Sequence, residues 1–294
     1  MIRDLLGVHP PLRGNLHTHS TRSDGHLCPD DLLTWYRNAG YDFLAITDHQ
    51  VEPRPTITTG SPVEGILLVP GGEFHPQSTR HGDRWHIIAA GVPADFDATP
   101  YDDDPTGLVR HLDSAGAWVS IAHPSGQGVD AADVEQLGPV HAIEIYNERS
   151  RWWDERVDGW YLADALACRG LRIGGVAVDD AHFDGRPDHG HGWVMVEATD
   201  RSVDAVIGAL KDGRYYASQG PRIDALSLTA DTLRLRCTPV EAIFAAGRGQ
   251  IVKSVIGDNL VEAEIPLAPF RGGYVRITIR NSSGQRAWSN PIHV

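Results

Sequence analysis

Five short apolar runs in the first 182 residues stop on side chains that bind metals. "NLHTH" carries His17 and His19, "FLAITDH" closes on Asp48 and His49, "GILLVPGGEF" carries Glu73, "AWVSIAHP" carries His123, and "VAVDDAH" closes on Asp180 and His182. A sixth run, "RWHIIAAGV", opens on His86. Short apolar runs bounded by Gly, Pro and Asp read as strands. Amphipathic stretches suited to helices lie between them at about 30–39, 105–115, 130–137, 153–169 and 203–212. Asp30 or Asp31 is placed to cap the first helix with Gly40 ending it, and Arg169-Gly170 closes the one over 153–169. Strands alternating with helices specify an α/β fold. In a barrel of parallel strands the C-terminal strand ends converge on one mouth, so residues as distant in sequence as His17 and His182 would meet there.

Taken singly, each of these residues has an ordinary explanation. His49 or His123 could be a hydrogen-bonded core histidine, and Glu73 or Asp180 a cap. Jointly those explanations fail, because burying so much polarity without a compensating partner is very costly. His17 and His19 are two apart, so on a strand both imidazoles face one side and can grip one ion. Asp24 follows in "NLHTHSTRSDGH", with His26 at the rim two residues on.

Composition narrows the partners. The formal charge is −13, with 26 cationic and 39 acidic side chains and only Lys211 and Lys253 as lysines. An acidic surface repels polyphosphate backbones, which argues against nucleic acid as the main partner, while a small anion at a local cationic site remains compatible. The three cysteines (Cys28, Cys168, Cys237) lie far apart and form no CxxC pair, so neither a disulfide framework nor a thiolate metal site is indicated. The stretch "MIRDLLGVHPPLRG" lacks a signal-peptide core, and no segment reaches transmembrane length. The expectation is a cytoplasmic protein with no membrane partner, its oligomeric state open.

After "YYASQGPR" the texture changes to short alternating runs ("ALSLTA", "TLRLRC", "AIFAAG", "VEAEIPL", "YVRITIRN") separated by turn residues. That pattern predicts a small β-sandwich-like module over 222–294, following a larger α/β domain over 1–221.

"NLHTHSTRSDG", "FLAITDH", "GGEF", "WHIIAAG", "AHP" and "DDAH" stand in the order found in the polymerase-and-histidinol-phosphatase (PHP) superfamily of metal-dependent hydrolases, which residues 14 to 220 resemble. The resemblance implies a distorted (β/α)7 barrel holding two or three divalent metal ions in a His/Asp/Glu pocket. It implies a first ion held by His17, His19, Glu73 and Asp180, with Glu73 bridging to a second that adds His86 and His123. A third would take Asp24, His49 and His182. Glu73, Asp180 and His182 are then the candidate catalytic residues, working with a metal-bridging hydroxide. The C-terminal part, with "YYASQGPRI" and "RAWSNPI", resembles a branch named after carbaryl hydrolases.

Imidazole and carboxylate donors without thiolate suit zinc, manganese or iron(II), and ions sharing a water would lower its pKa to supply hydroxide near neutral pH. With three divalent ions, one hydroxide and these nine side chains the site carries a formal +2, whereas with two ions it is neutral. A trinuclear site therefore favours an anionic small molecule, and the leading expectation is a phosphoesterase acting on a phosphorylated metabolite or nucleotide. The alternative is hydrolysis of a carbamate, carboxylic ester or amide. Arg22 and Arg149 are the first candidates for substrate contacts among Arg22, Arg54, Arg80, Arg84 and Arg149, because the guanidinium fork suits phosphate. Asn147 and His75 are candidates for the mouth, and Asp48 for a partner of His49.

Overall fold

A computed structural model describes residues 3–60 and 63–294. The chain opens with strands β1 (Arg3–Leu6) and β2 (Leu12–Asn15), helix α1 (Pro29–Asn38), then β3 (Phe43–Ile46), β4 (His49–Gln50), β5 (Leu67–Phe74) and β6 (Ile87–Ala90). Helix α2 (Pro105–Ser114) leads to β7 (Trp118–Ile121), followed by α3 (Pro124–Gln127), α4 (Ala131–Leu137), β8 (Ala142–Asn147), α5 (Glu148–Trp153), α6 (Trp160–Cys168) and β9 (Gly174–Val178). Next come β10 (Trp193–Val196), α7 (Val203–Lys211) and β11 (Tyr215–Ser218). The remainder is β12 (Ile223–Leu228), β13 (Thr232–Gly247), β14 (Val252–Pro266), β15 (Tyr274–Arg280), β16 (Arg286–Ser289) and β17 (Ile292–His293). The result is a mixed α/β fold with a large continuous sheet and seven α-helices among the described residues.

Parallel pairing runs from β2 to β3 and on to β5, with β4 beside the end of β5, and from β7 through β8 to β9. Strand β6 is reversed, antiparallel to both β5 and β7. Past the end of β9, Ala181 forms an isolated parallel bridge with Thr18, so the succession of pairings returns to the segment that follows β2. Strands β10 and β11 continue antiparallel from the other side of β2. Their neighbour β16 leads into the antiparallel C-terminal strands, where the long β13 pairs with β12, β14 and β15. The first strand crosses over to pair with β12.

Local chemistry accounts for the helix boundaries. The sequence predicts Asp30 or Asp31 as the cap of α1, but the cap is Cys28, and Pro29 takes the first helical position. Proline presets the helical φ there and has no N–H to leave unsatisfied, which moves both aspartates into the first turn, where they complement the helix dipole. Asp130 caps α4 through a reciprocal box with Asp133, and Gly40 and Gly170, with φ of +81° and +86°, follow the ends of α1 and α6. The helix expected over 153–169 starts only at Trp160, and a separate α5 ends at Trp153 where it was expected to begin. Glu155 adopts φ +65° and stops α5, and the Asp158 carboxylate accepts the Trp160 N–H as α6 begins.

The parallel strands are buried on both faces. Strands β3, β7, β8 and β9 have no exposed residue, and the largest fully buried side chains include Trp118, Tyr36 and Phe43. None of the described helices is long and apolar enough to cross a membrane.

Candidate metal centre

All nine side chains picked out as metal ligands meet at one end of this sheet. Strand β2 ends at Asn15, short of the expected "NLHTH", so His17 and His19 project from the segment beyond it. His123 follows β7, and Asp180 and His182 follow β9. His49 lies directly opposite Glu73 in the β4–β5 pair. His86 arrives from the start of a strand because β6 is reversed: Phe74 pairs with Ile87, which brings the residue before β6 to the Glu73 end.

His17 Nε2 lies 3.1 Å from His19 Nε2, 3.4 Å from Glu73 Oε2 and 3.2 Å from Asp180 Oδ1. His19 Nε2 lies 3.4 Å from Glu73 Oε2 and 3.1 Å from Asp180 Oδ1. Four donors about 2.1 Å from a tetrahedral ion are themselves about 3.4 Å apart, so these spacings fit a divalent cation held by N and O ligands. The other Glu73 oxygen, Oε1, is 2.7 Å from His86 Nδ1 and 3.6 Å from His123 Nε2. One carboxylate thus faces two separate donor groups, one per oxygen. A third group surrounds Asp24, whose oxygens lie 3.4 Å from His49 Nε2, 3.2 Å from His182 Nε2 and 3.7 Å from His19 Nδ1. His75 adds a further nitrogen, 2.8 Å from His49 Nδ1.

Hydrogen bonds behind these groups set the tautomers. His17 Nδ1 donates to Glu144 Oε1 at 2.6 Å, and His182 Nδ1 donates to the Asp180 carbonyl at 2.8 Å, leaving Nε2 of each free to coordinate. Glu144 is buried, and its Oε2 accepts the His123 N–H and the Asn147 amide. His123 Nδ1 faces the Gln127 side-chain amide at 3.1 Å, while the Gln127 carbonyl oxygen is buried without a partner. Turning that amide over would let it accept the Nδ1 proton that a metal-coordinating Nε2 requires.

The backbone is strained at two of the candidate ligands. His123 has φ +23° and Asp180 φ +54°, in a region that costs non-glycine residues roughly 1–3 kcal/mol and clusters at functional sites. The loop carrying Asp24 is held by Asp48, whose carboxylate accepts the Ser20 N–H and hydroxyl and the Ser23 hydroxyl. It turns tightly at Gly25, where a Cβ would lie 2.1 Å from the His19 carbonyl oxygen. Asp48 therefore braces a loop and has no bond to His49.

Electrostatically the cluster is an array of carboxylates held ionised by imidazoles. Burial alone would raise the pKa of Glu73, but His49, His75, His86 and His17 outweigh it and hold the carboxyl well below the usual range. Asp180 is lowered in the same way, against its burial, by His17, His19 and His182. Conversely, burial opposes protonation of His49, yet Glu73 and Asp24 push it up to about 10. For His19 burial prevails and lowers it to about 4. Acceptors that draw protons onto their neighbours when metal-free are the groups that a divalent cation would satisfy.

A cavity of about 470 Å³ opens over the cluster, walled by Arg84, Gln127, Arg149, Ser150, Trp153 and Asp154 together with the exposed ligands. Arg149 reaches it while bound to Asp188 at 2.8 Å and Asp184 at 3.0 Å. Arg22 lies outside it, exposed and 3.4 Å from the Thr56 carbonyl. Asn147 does not face it either. It is buried under Asp180, with its amide 3.1 Å from Asp180 Oδ2 and its carbonyl accepting the Ser150 N–H at the start of α5. Sequence reasoning passed over Glu144 and Gln127. An acid inside the apolar strand "HAIEIYN" was the available signal for the first, and Gln127 gave none.

No family model matches the chain, and no curated protein does. Among solved structures it is similar to a two-domain protein from Bacteroides vulgatus ATCC 8482 containing a predicted PHP-like metal-dependent phosphoesterase, with TM-score 0.53 and 19% identity over 96% of this chain and 93% of that one. It also matches a candidate metal-dependent phosphoesterase from Bifidobacterium adolescentis ATCC 15703 (TM-score 0.44, 15% identity, 61% of this chain and 91% of that one). A third match is the lesion-specific endonuclease PfuEndoQ from Pyrococcus furiosus (TM-score 0.47, 14% identity, 69% of this chain), of which this chain spans 56%. The first of these likenesses, nearly end to end, establishes the architecture: the chain has the PHP-like fold.

Proposed function

We propose that this protein is a metal-dependent phosphoesterase acting on a small phosphorylated molecule, with a distorted barrel over 1–221 as its catalytic domain and 222–294 as a sandwich-like accessory module. The observation that carries the reading is Glu73, which presents one oxygen to His17 and His19 and the other to His86 and His123. When bound there, two or three divalent ions would activate water as a nucleophile and offset charge developing on the substrate. The protein's own part is positional. Glu144 holds His17 in the coordinating tautomer, Asn147 steadies Asp180, and Arg149 and Arg84 bring cationic donors to the cavity for phosphate oxygens. Ser150 and Trp153 also line the cavity.

The test is metal analysis of the purified protein, followed by assays on phosphomonoesters, phosphodiesters, a short oligonucleotide and an aryl carbamate. Phosphate release that disappears in His17→Ala and Glu73→Ala supports the reading. Naphthol release from the carbamate without any phosphoesterase activity overturns it, as does cleavage confined to the oligonucleotide.

A further inference from the structure

A second cavity, of about 480 Å³, lies at the opposite end of the sheet from the metal cluster. Its walls come from segments distant in sequence: β1, the residues that enter β8 and β9, the turn between α7 and β11, and the stretch from Ser289 to His293. His141, in its wall, precedes β8, and Asn147, beside Asp180, ends that strand. Six strand residues separate the two cavities by about 20 Å.

The lining is unusual for a chain of net charge −13. Arg3, Arg172, Lys211 and Arg214 all contribute, against Asp4 and Asp212. Lys211 is paired with Asp113 at 3.1 Å and Arg214 with Asp212 at 3.1 Å. Arg3 and Arg172 have no ion-pair partner among the described residues, and both stand exposed. Arg214 Nε is buried without an acceptor. Leu6, Ile173, Leu210, Leu226 and Ile292 also contribute to the wall, beside the polar Ser289 and Asn290.

Cationic donors in a wall that also carries aliphatic side chains suit a ligand with an anionic head and a small organic body. We propose that this cavity is a second binding site, separate from the metal centre, for a small organic phosphate. Arg3 and Arg172 hold the phosphate, Arg214 Nε–H supplies a further hydrogen bond, and the body packs on Leu6, Ile173 and Leu226. Because the site joins β1 and the Ser289–His293 stretch to the starts of β8 and β9, its occupant bridges four parts of the chain.

The probe is phenylphosphonate, whose carbon–phosphorus bond withstands phosphoesterase action, measured by equilibrium dialysis on the metal-loaded full-length protein. The double variant Arg3→Gln/Arg172→Gln removes only exposed side chains, so its fold, checked by circular dichroism, and its basal turnover should match the unmodified protein. The expected result is loss of one bound equivalent, or at least tenfold weaker binding, in that variant, with the same equivalent retained in Arg149→Gln. Unchanged binding in the double variant overturns the proposal, as does loss of all bound probe in an Arg149→Gln protein that circular dichroism shows to be folded. Both outcomes are read without reference to the reaction at the metal centre.

Discussion

Glu144→Gln is the sharpest test of how the metal cluster is built. In the native protein three donors converge on one buried carboxylate: His17 Nδ1–H on Oε1, and the His123 N–H and the Asn147 amide on Oε2. Glutamine has the same shape but one acceptor oxygen and one NH2 group. If its oxygen faces His17, the NH2 confronts two donors. If it is turned over, His17 Nδ1–H meets an NH2, and the imidazole relieves the conflict by moving its proton to Nε2, the atom that would coordinate. Either arrangement forfeits a hydrogen bond to a charged acceptor, worth about 1.5–3 kcal/mol. Loss of such an outer partner typically weakens metal affinity 10–100-fold, or about 1.4–2.8 kcal/mol at 1.4 kcal/mol per decade. The assay is competition for zinc against a chromophoric chelator, paired with turnover at limiting and excess metal. The variant should bind at least one ion tenfold more weakly and recover much of its turnover in excess metal. Native affinity for every bound ion would refute this account of His17.

Further expectations follow from the same geometry. Metal loading at pH 7 should release at least one proton per chain, read with an indicator dye, because His17, His49, His123 and His182 are all raised in the metal-free cluster; a proton-neutral titration would contradict it. For His49, raised to about 10, the contribution to stability is complete below the unfolded value near 6.5 and is lost as pH climbs toward 10, so the metal-free Tm should fall across that window. His19, lowered to about 4, works in the opposite sense and costs stability as pH drops from about 6.5 toward 4. Arg149→Met leaves the fully buried Asp188 without its cation, and should lower stability by about 3 kcal/mol in urea titration while raising KM for a phosphate ester. Asp164 on α6 receives Arg276 at 2.8 and 2.9 Å and the Tyr274 hydroxyl at 2.9 Å, both from β15; Asp164→Asn should cost about 2 kcal/mol in the same titration.

What could be read from the sequence is what strand geometry makes local. His17 with His19, and Asp180 with His182, each announce a shared direction by their spacing, and every candidate ligand sits within a few residues of an apolar run. His86 was legible as a strand start, but only the reversal of β6 explains why a start reaches a cluster of strand ends. Glu144 was hidden because β8 is buried along its whole length, so alternation gave no hint that one acid lies beneath the metal ligands. The break between α5 and α6 depends on a left-handed Glu155, a conformation that its residue type does not favour. The second cavity draws on Arg3, His141, Arg172, Arg214 and His293, none of which has a neighbour in sequence that would have singled it out.

Strand β1 bears on how the chain acquires its fold. Arg3, Asp4 and Leu6 pair with Leu228, Ser227 and Leu226, and Glu197 accepts the N–H groups of Gly7, Val8 and His9. During synthesis these early residues emerge long before the strand that receives them, so their pairing is among the most non-local in the molecule and should form late. Until it forms, one side of β12 offers unpaired backbone groups to any other extended segment. Deleting β1 would make that interval permanent, and the expected symptom is aggregation rather than a change in turnover.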